Sequence, residues 1–328
     1  MSNYAYYPGC SLTSTALEYD TSFRRIAGAL GIGLDELKDW NCCGASPAPH
    51  HGGGDLGKLL PARNVHIAAG TPHEGVVAPC AGCYNKLKTS QYELIHSQET
   101  REMISRALHE DVNYETEVLN LVELLEREIN LGDLRERSEG RFEGTVLAPY
   151  YGCMLTRPPE IMKYDNPNDP TGMDEMLRAT GAEVPFFPFK SECCGSYVGV
   201  SRKEIVLTAS RRIIDVAVGM GIEALVTACP LCQQNLDLRQ HQINRHFGTD
   251  YKLPVLYLTQ VIGLAIGIGP EELGIKALAV QPDGIMKKVS DPEARRAAAE
   301  AKAAKAGKAG KKKKKAQPPE TPEGGEAP

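Results

Sequence analysis

The sequence predicts an α/β fold built from two similar parallel-sheet units, followed by a charged tail. Three observations support this prediction: short apolar runs alternate with helical patterns, the ten cysteines repeat one frame twice, and the C-terminal residues become rich in Ala and Lys. Strands that alternate with helices are typical of Rossmann-like folds, in which helices cover a parallel sheet. A chain of 328 residues is long enough for two such units.

Short apolar runs lead directly to four of the cysteines and are predicted to be buried strands. These runs are residues 4–9 before Cys10, 75–79 before Cys80, 145–149 before Cys153 and 224–228 before Cys229. Between them, helical patterns cover residues 21–30, 119–129 and 205–218. Because ligands of open parallel sheets bind beyond the carboxyl ends of the strands, we expect cysteines from separate loops to converge there.

The repeat predicts three segments in the chain. Residues 1–143 form an N-terminal domain, residues 144–290 form a pseudo-symmetric C-terminal domain, and residues 291–328 form a disordered tail. The tail carries ten Lys or Arg and six Asp or Glu, a net charge of +4, whereas the whole chain carries −5. A docking arm for an acidic partner is the alternative interpretation of this tail.

The cysteines are the most specific signal in the chain. Their intervals are C-x31-CC-x36-CxxC and C-x39-CC-x34-CxxC, a glycine follows both CC pairs, and no cysteine lies outside the frame. The first set is Cys10, Cys42, Cys43, Cys80 and Cys83, and the second set is Cys153, Cys193, Cys194, Cys229 and Cys232. This pattern predicts two similar sites that bind metal.

Other interpretations of the cysteines fit less well. Disulfides would leave one thiol over in each half, and the N-terminus carries no secretory signal pattern. Structural zinc needs four ligands where each half offers five, and a thioredoxin-like dithiol at Cys229 and Cys232 leaves the rest unexplained. Attachment of haem c fails because Tyr84 and Gln233 stand where a histidine is required. Iron–sulfur chemistry is the leading interpretation, since thiolates are the soft ligands that these clusters need.

The doubled C…CCG…CxxC frame resembles the CCG domain found in the B subunit of heterodisulfide reductase and its relatives, over nearly all of residues 1–260. The resemblance implies two non-cubane [4Fe-4S] clusters, each held by the five cysteines of one set. It implies reduction of a disulfide, or oxidation of thiols, at these clusters. It also implies two partners from the same kind of complex, one a flavin-containing subunit and the other a ferredoxin-like subunit. A non-catalytic electron-transfer subunit with the same clusters is the alternative.

Composition and weaker motifs exclude other classes. The chain has no general basic excess for nucleic acid, and its longest apolar stretch, residues 261–268, is far too short to span a membrane, so we expect a cytoplasmic protein. Residues 52–57 match GxGxxG, but Leu59 stands where a P-loop needs Ser or Thr, so we expect no flavin or nucleotide on this chain. Polar or packing roles are expected for His50, His51, Trp40, Lys190 and Glu192, with Lys190 and Glu192 in solvent.

Overall fold

The computed structural model describes residues 2–46, 55–199, 201–291 and 293. Nearly all of the predicted tail, residues 291–328, therefore lies outside the described part of the chain. The same holds for His50, for His51 and for the start of the glycine-rich run. The described residues resume inside that run, with the helix Asp55–Ala69.

The first half of the molecule is a four-stranded parallel sheet in the order β2-β1-β3-β4, with helices between its strands. Its elements are β1 (Asn3–Tyr6), α1 (Gly9–Leu12), α2 (Leu17–Leu30), β2 (Gly33–Glu36), α3 (Asp55–Ala69), β3 (Val76–Ala78), α4 (Ala81–His96), α5 (Gln98–Leu108), β4 (Val118–Asn120), α6 (Leu121–Glu128) and α7 (Leu131–Ser138).

The second half is a three-stranded parallel sheet in the order β5-β6-β7. Its elements are β5 (Leu147–Tyr150), α8 (Pro159–Met162), α9 (Gly172–Ala179), α10 (Lys203–Gly219), β6 (Ala224–Thr227), α11 (Pro230–Gln233), α12 (Gln240–Phe247), β7 (Val255–Tyr257), α13 (Leu258–Ala265) and α14 (Asp283–Ser290). A π-helical turn, Gln234–Leu238, joins α11 to α12. Beside β5, a single parallel bridge between Val146 and Glu183 stands where the first half has β2.

The predicted fold class is confirmed: both units are parallel α/β sheets with helices between the strands. All four runs expected to be strands contain one, at β1, β3, β5 and β6, and each of these strands is followed within a few residues by a cysteine. The chain leaves β1 toward β2 on one side and returns to β3 on the other. Strand order therefore reverses beside β1, which is where ligands of open parallel sheets bind. The domain boundary at residue 143 stays a prediction.

An approximate two-fold axis passes between the two CxxC turns. A Cβ built on Gly82 would lie 3.7 Å from Leu231 Cδ1, and these residues hold equivalent positions in the two turns. The side-chain amide two residues past each turn reaches into the opposite half. Asn85 Nδ2 donates to Arg157 O at 2.7 Å, and Gln234 Nε2 donates to Thr15 Oγ1 at 2.8 Å. Reciprocal contacts of this kind are the mark of a two-fold interface.

The interface between the halves is buried. Helix α2 packs on α13, and the rings of Tyr19 and Tyr257 stack at 4.0 Å with an interplanar angle of 5°. Deeper in the contact, the hydroxyls of Ser22 and Thr259 share a hydrogen bond of 2.7 Å, and both residues are fully buried. One continuous apolar core therefore extends through both halves. Within the described ranges, no helix has the length and apolar character needed to cross a bilayer.

Candidate metal centres

The ten cysteines collect at the carboxyl ends of the strands, as the sequence predicted. We call Cys10, Cys42, Cys43, Cys80 and Cys83 the first centre, and Cys153, Cys193, Cys194, Cys229 and Cys232 the second centre. In the first centre, Cys10 lies in α1 after β1, the CC pair lies in the loop after β2, and the CxxC turn joins β3 to α4. The cysteines of each set come from separate loops of one sheet edge.

A buried tyrosine marks each centre. Burial raises the pKa of Tyr7, and the nearby thiols that raise it further are four from the first centre: Cys83, Cys43, Cys42 and Cys10. Burial likewise raises the pKa of Tyr150, with further contributions from Cys232, Cys194, Cys153 and Cys193. Four thiols of each centre are therefore close to one phenol. The remaining thiols, Cys80 and Cys229, lie toward the approximate two-fold axis near Tyr19.

These tyrosines fix the loop that carries each CC pair. Tyr7 donates its hydroxyl to Asn41 O at 2.7 Å, and Tyr150 donates to Glu192 O at 2.6 Å. In both cases the acceptor is the carbonyl of the residue before the CC pair. In the first half, Asn64 adds two hydrogen bonds to the backbone of Asn41. The same device thus orients both pairs of adjacent thiols.

Two glycines leave room for the thiols. Gly9 and Gly152 precede the first cysteine of each set, and both have left-handed backbones with φ of +66° and +68°. A Cβ built on Gly9 would lie 2.9 Å from Cys83 Sγ, and one on Gly152 would lie 3.0 Å from Cys232 Sγ. Contacts below about 3.5 Å between carbon and sulfur are repulsive. Any side chain at either position would therefore push into its centre.

The glycine after each CC pair supplies a donor to sulfur. Gly44 N lies 3.5 Å from Cys42 Sγ, and Gly195 N lies 3.3 Å from Cys193 Sγ. Both glycines have positive φ, of 74° and 80°, a backbone conformation that glycine adopts without strain. Backbone N–H groups aimed at thiolate sulfur are a means by which proteins hold and tune metal–sulfur centres.

Several thiols are close enough to form hydrogen bonds with one another. Cys194 Sγ and Cys232 Sγ are 3.6 Å apart. This contact lowers the pKa of Cys194, because the Cys232 thiol donates to it. In the first centre, hydrogen bonds from Cys42 and Cys83 lower the pKa of Cys43.

A further thiol pair crosses between the halves. A hydrogen bond with Cys229 raises the pKa of Cys80, whereas hydrogen bonds from Cys232 and then from Cys80 lower that of Cys229. These two residues are the first cysteines of the two CxxC turns. The two centres therefore meet at equivalent positions on the approximate two-fold axis.

Each centre is open on one side. Cys10, Cys42 and Cys193 are exposed and Cys153 is partly exposed, whereas the other six cysteines are buried. Within residues 2–46, 55–199, 201–291 and 293, no group of three or more His, Cys, Asp or Glu side chains is arranged around a single metal ion. The donors at each centre are soft thiols accompanied by N–H groups and by glycines that leave space beside sulfur. This donor set fits an iron–sulfur cluster better than a hard cation.

The expectation that Lys190 is solvated is wrong. It is 3% exposed, and its ammonium group contacts Asp169 Oδ1 at 2.5 Å, Pro170 O at 2.6 Å and Asp174 Oδ1 at 3.4 Å. Its carbonyl accepts the N–H groups of residues 151 and 152, beside Cys153. Its side chain is buried because two carboxylates and a carbonyl from residues 169–174 surround the ammonium group. Its backbone carbonyl joins the loop of Cys153 to the loop of the second CC pair. Glu192 is exposed, as expected.

Trp40 packs as predicted, with its ring edge-on to Tyr7 at 5.5 Å between centroids. Sequence reasoning missed Tyr7 and Tyr150 as members of the centres. A signal was present, because the pattern Tyr-x-Gly-Cys occurs before the first cysteine of both sets. The side chain of Asn235 contacts Cys194, but the equivalent position in the first half holds a different type of residue. The sequence repeat therefore did not indicate a role for Asn235.

The arrangement of the cysteines matches a known family of domains. The model of the cysteine-rich domain family CCG matches residues 4–88 and 147–237, which together are more than half of the chain. The chain belongs to the CCG family. Both CCG domains contain a complete cysteine set, and the gap between the matched ranges contains α5, β4, α6 and α7.

Two curated relatives of this CCG protein are subunits of redox enzymes. It is 31% identical over 276 residues to the 8-methylmenaquinol:fumarate reductase membrane anchor subunit of Wolinella succinogenes, covering 83% of this chain and 95% of that protein. It is 27% identical over 299 residues to the B subunit of the ferredoxin:CoB-CoM heterodisulfide reductase of Methanosarcina mazei, covering 90% and 99%. The predicted resemblance to the B subunit of heterodisulfide reductase is thereby confirmed.

A solved structure shares the fold of both CCG domains. A hypothetical protein from Helicobacter pylori superposes with a TM-score of 0.67 at 12% sequence identity, covering 85% of this chain. The chain spans 52% of the length of that structure. At this identity the likeness concerns the fold alone.

Proposed function

We propose that this protein is the disulfide-reducing subunit of a complex like heterodisulfide reductase, with one non-cubane [4Fe-4S] cluster at each centre. The five cysteines of the first centre would hold one cluster and those of the second centre the other. In the reaction, a disulfide takes up two electrons and two protons, its S–S bond breaks, and two thiols leave. The bound clusters supply electron storage and iron with affinity for sulfur.

The single observation that carries this proposal is the facing arrangement of two five-thiol centres, each open on one side. A disulfide has two sulfur atoms, and the molecule offers two equivalent sites related by an approximate two-fold axis. Its own residues would orient the clusters through Tyr7 and Tyr150 and keep space beside sulfur through Gly9 and Gly152. The exposed faces at Cys10, Cys42 and Cys193 would admit a small-molecule disulfide.

The proposal includes partners, because electrons must reach the centres. A flavin-containing subunit and a ferredoxin-like subunit, the kinds of partner that the resemblance implies, would deliver them. The direction of the reaction, reduction of a disulfide or oxidation of thiols, depends on the potential of those partners. We place the complex in the cytoplasm.

A second candidate is a non-catalytic iron–sulfur subunit of a larger redox complex. It is favoured by the 31% identity to the membrane anchor subunit of 8-methylmenaquinol:fumarate reductase, because the name of that enzyme does not mention a disulfide substrate. Such a protein would hold the same clusters and pass electrons onward without binding a sulfur substrate. The two candidates thus agree on the metal content and differ in the response to disulfides.

The first experiment is anaerobic purification of the full chain with assay of iron, acid-labile sulfide and zinc. Two four-iron clusters require about eight irons per chain. Cys43→Ser and Cys194→Ser change equivalent positions in the two centres, and each is expected to lower the iron content to about four. Unchanged iron in either variant would contradict the ligand assignment, and zinc without iron would contradict both candidates.

The second experiment separates the candidates. The protein loaded with clusters is reduced with dithionite, and small disulfides are added one at a time while the EPR spectrum is recorded. Oxidation of the clusters with release of two thiols per disulfide supports the catalytic candidate. Clusters that remain reduced in the presence of every disulfide, yet exchange electrons with an artificial carrier, support the electron-transfer candidate.

A further inference from the structure

One buried side chain at the second centre has no equivalent of the same type in the first. Asn235 lies three residues past Cys232 and is 4% exposed. Its amide nitrogen Nδ2 is 3.3 Å from Cys194 O and 3.5 Å from Cys194 Sγ. In the first centre, the residue three positions past the CxxC turn is Lys86, which has no amide. The second centre therefore has a side-chain amide on its CC pair at a position where the first has a lysine.

The orientation of the Asn235 amide is fixed by its surroundings. The two ends of an amide group differ, since the oxygen only accepts hydrogen bonds and the nitrogen only donates them. A backbone carbonyl such as Cys194 O also only accepts, so the end of Asn235 that faces it must be the nitrogen. The same NH₂ group is the one beside Cys194 Sγ. Asn235 is therefore a donor to this thiol.

A local change in the helix places Asn235 there. In the second half, the helix after the CxxC turn opens into the π-helical turn Gln234–Leu238, where Arg239 N donates to Gln234 O, five residues back, at 3.2 Å. Within this turn, the carbonyl of Leu236 accepts a hydrogen bond from the buried side-chain amide of Gln240 at 2.7 Å. In the first half, α4 runs without such a turn from Ala81 to His96. Turns of this kind are rare in proteins, and many of those that do occur lie at functional sites.

The backbone donors to the two CC pairs cannot account for a difference between these pairs, because they are matched. Gly44 N and Gly195 N face the first thiol of each CC pair. The second thiols, Cys43 and Cys194, receive backbone N–H groups from the residues two positions later, Ala45 and Ser196. The amide of Asn235 is added to this matched set in the second half.

We propose that Asn235 tunes the second centre, raising its reduction potential by donating an N–H group to Cys194. This inference rests on the proposed function in that it requires a cluster at each centre. Reduction adds negative charge to the cluster and its thiolates, and a hydrogen bond to sulfur stabilises that charge. The two centres therefore differ in reduction potential although their cysteines match. By raising the potential of the second centre, Asn235 makes it the centre that holds an arriving electron at equilibrium.

The test is a redox titration of Asn235→Leu, which keeps a similar volume and removes the donor. The full-length protein is purified without oxygen and titrated while both centres are followed by EPR. At the wild-type midpoint potential of the second centre, we expect the ratio of reduced to oxidised second centre to fall about tenfold, equivalent to about 59 mV for one electron. The midpoint of the first centre should stay unchanged. Cys153→Ser, which damages the second centre alone, assigns the two signals.

Two further variants protect the test against structural side effects. Gln234→Leu removes a neighbouring amide of the same π-helical turn, one that bonds to Thr15 and to no thiol, and should leave both potentials unchanged. Asn235→Asp has nearly the same shape as the native residue and puts a carboxylate beside the sulfur, so it should lower the reduction potential of the second centre. It takes the place of Asn235→Leu in the test if that variant does not retain its clusters.

The outcomes decide the inference separately from the proposed function. Unchanged second-centre potentials in Asn235→Leu with full iron, or in Asn235→Asp, overturn it. An equal shift of both centres overturns it as well, because the effect would not be local. If both clusters are present and the second potential falls, but no disulfide is reduced, the inference stands and the catalytic candidate fails. A wild-type protein without iron overturns both.

Discussion

At the scale of the residue, the glycine before the first cysteine of each set leaves space for the sulfur atom of another cysteine. Gly152 combines a backbone φ of +68° with a Cβ position 3.0 Å from Cys232 Sγ. An added methyl group would meet strain in the backbone and repulsion at the thiol together. Among the glycines that the structure describes, only Gly9 shares both conditions. Gly28 is a contrasting example, since it lies in α2 with nothing within 4 Å of its Cβ position.

We therefore expect Gly152→Ala to displace Cys232 and to lower the iron content from about eight to about four per chain, by loss of the second cluster. Gly28→Ala is the matched control and should retain all iron while stabilising α2 by roughly 0.5–1 kcal/mol. Iron assay and chemical unfolding of both variants provide the measurement. Full iron in Gly152→Ala would show that the second centre tolerates a side chain at this position.

At the scale of the element, the π-helical turn Gln234–Leu238 carries an acid as well as Asn235. Asp237 is 2% exposed and accepts hydrogen bonds from Ala279 N at 2.7 Å, from Val280 N at 3.1 Å and from Gln233 Nε2 at 3.0 Å. Burial nevertheless raises the pKa of Asp237 from 3.8 to about 6. The turn is thus anchored to the segment before α14 by a group that holds its proton more tightly when folded.

The sign of the pH effect follows from this shift. Below pH 4 both the folded and unfolded states carry the proton, and above pH 6 neither does. Between these values only the folded state is protonated, so the free energy of unfolding falls as the pH rises. A shift of two units corresponds to about 3 kcal/mol. Asp237→Asn lacks the titration, so its stability relative to wild type should rise by up to this amount between pH 4 and 7.

Urea unfolding of both proteins across this range measures the difference. The asparagine turns its amide toward one of the backbone N–H groups, which gives a constant offset in stability but no slope with pH. A difference that does not change between pH 4 and 7 would contradict the assignment to Asp237.

The elements also show what the sequence could predict. Strands β1, β3, β5 and β6 were found because buried parallel strands are continuous apolar runs. Strand β2 was missed because its residues, Gly33–Glu36, are partly or fully exposed at the sheet edge and include two acids. Strands β4 and β7 were missed as well, although all their residues are buried, and β4 overlaps the start of the helical pattern predicted over residues 119–129. The π-helical turn was missed because its apolar spacing resembles that of an ordinary helix. The burial of Lys190 was missed because its carboxylate partners lie 16 to 21 residues away along the chain.

The candidate site, like the fold, could be predicted from the sequence only in part. The cysteines were predicted in full as candidate ligands, since their spacing is visible in the sequence and repeated. Their grouping around Tyr7 and Tyr150, the approach of Cys80 to Cys229 and the contact of Asn235 depend on how loops fold over the sheet edges. No local pattern specifies such contacts between distant loops.

At the scale of the whole molecule, the two halves are joined by more than the connecting chain. The buried hydroxyls of Ser22 and Thr259 satisfy each other at 2.7 Å in the contact between α2 and α13. Ser22 Oγ also donates to Tyr19 O at 3.1 Å, so it keeps a partner when Thr259 loses its hydroxyl. Removing the Ser22 hydroxyl instead leaves that of Thr259 without its partner in a dry environment, which costs about 1–3 kcal/mol. Removing both leaves no unsatisfied group and is far less costly.

We expect Ser22→Ala to lower the free energy of unfolding by about 1–3 kcal/mol, and the double variant Ser22→Ala/Thr259→Val to recover part of that loss. Chemical unfolding of the wild type, the two single variants and the double variant completes the cycle. If the effects of the two single changes simply add, the hydroxyls do not interact, and the halves are held by the surrounding apolar packing alone.

The reciprocal contacts across the approximate two-fold axis bear on the ancestry of the chain. Gly82 faces Leu231, its own equivalent, and the free thiol of Cys80 lies within hydrogen-bond reach of Cys229, which is again its own equivalent. A surface that meets its copy in this way is what two identical subunits use to form a dimer. Duplication followed by fusion would keep that surface and free each copy to diverge. The lysine at position 86 and the asparagine at position 235 are a place where two such copies would have diverged.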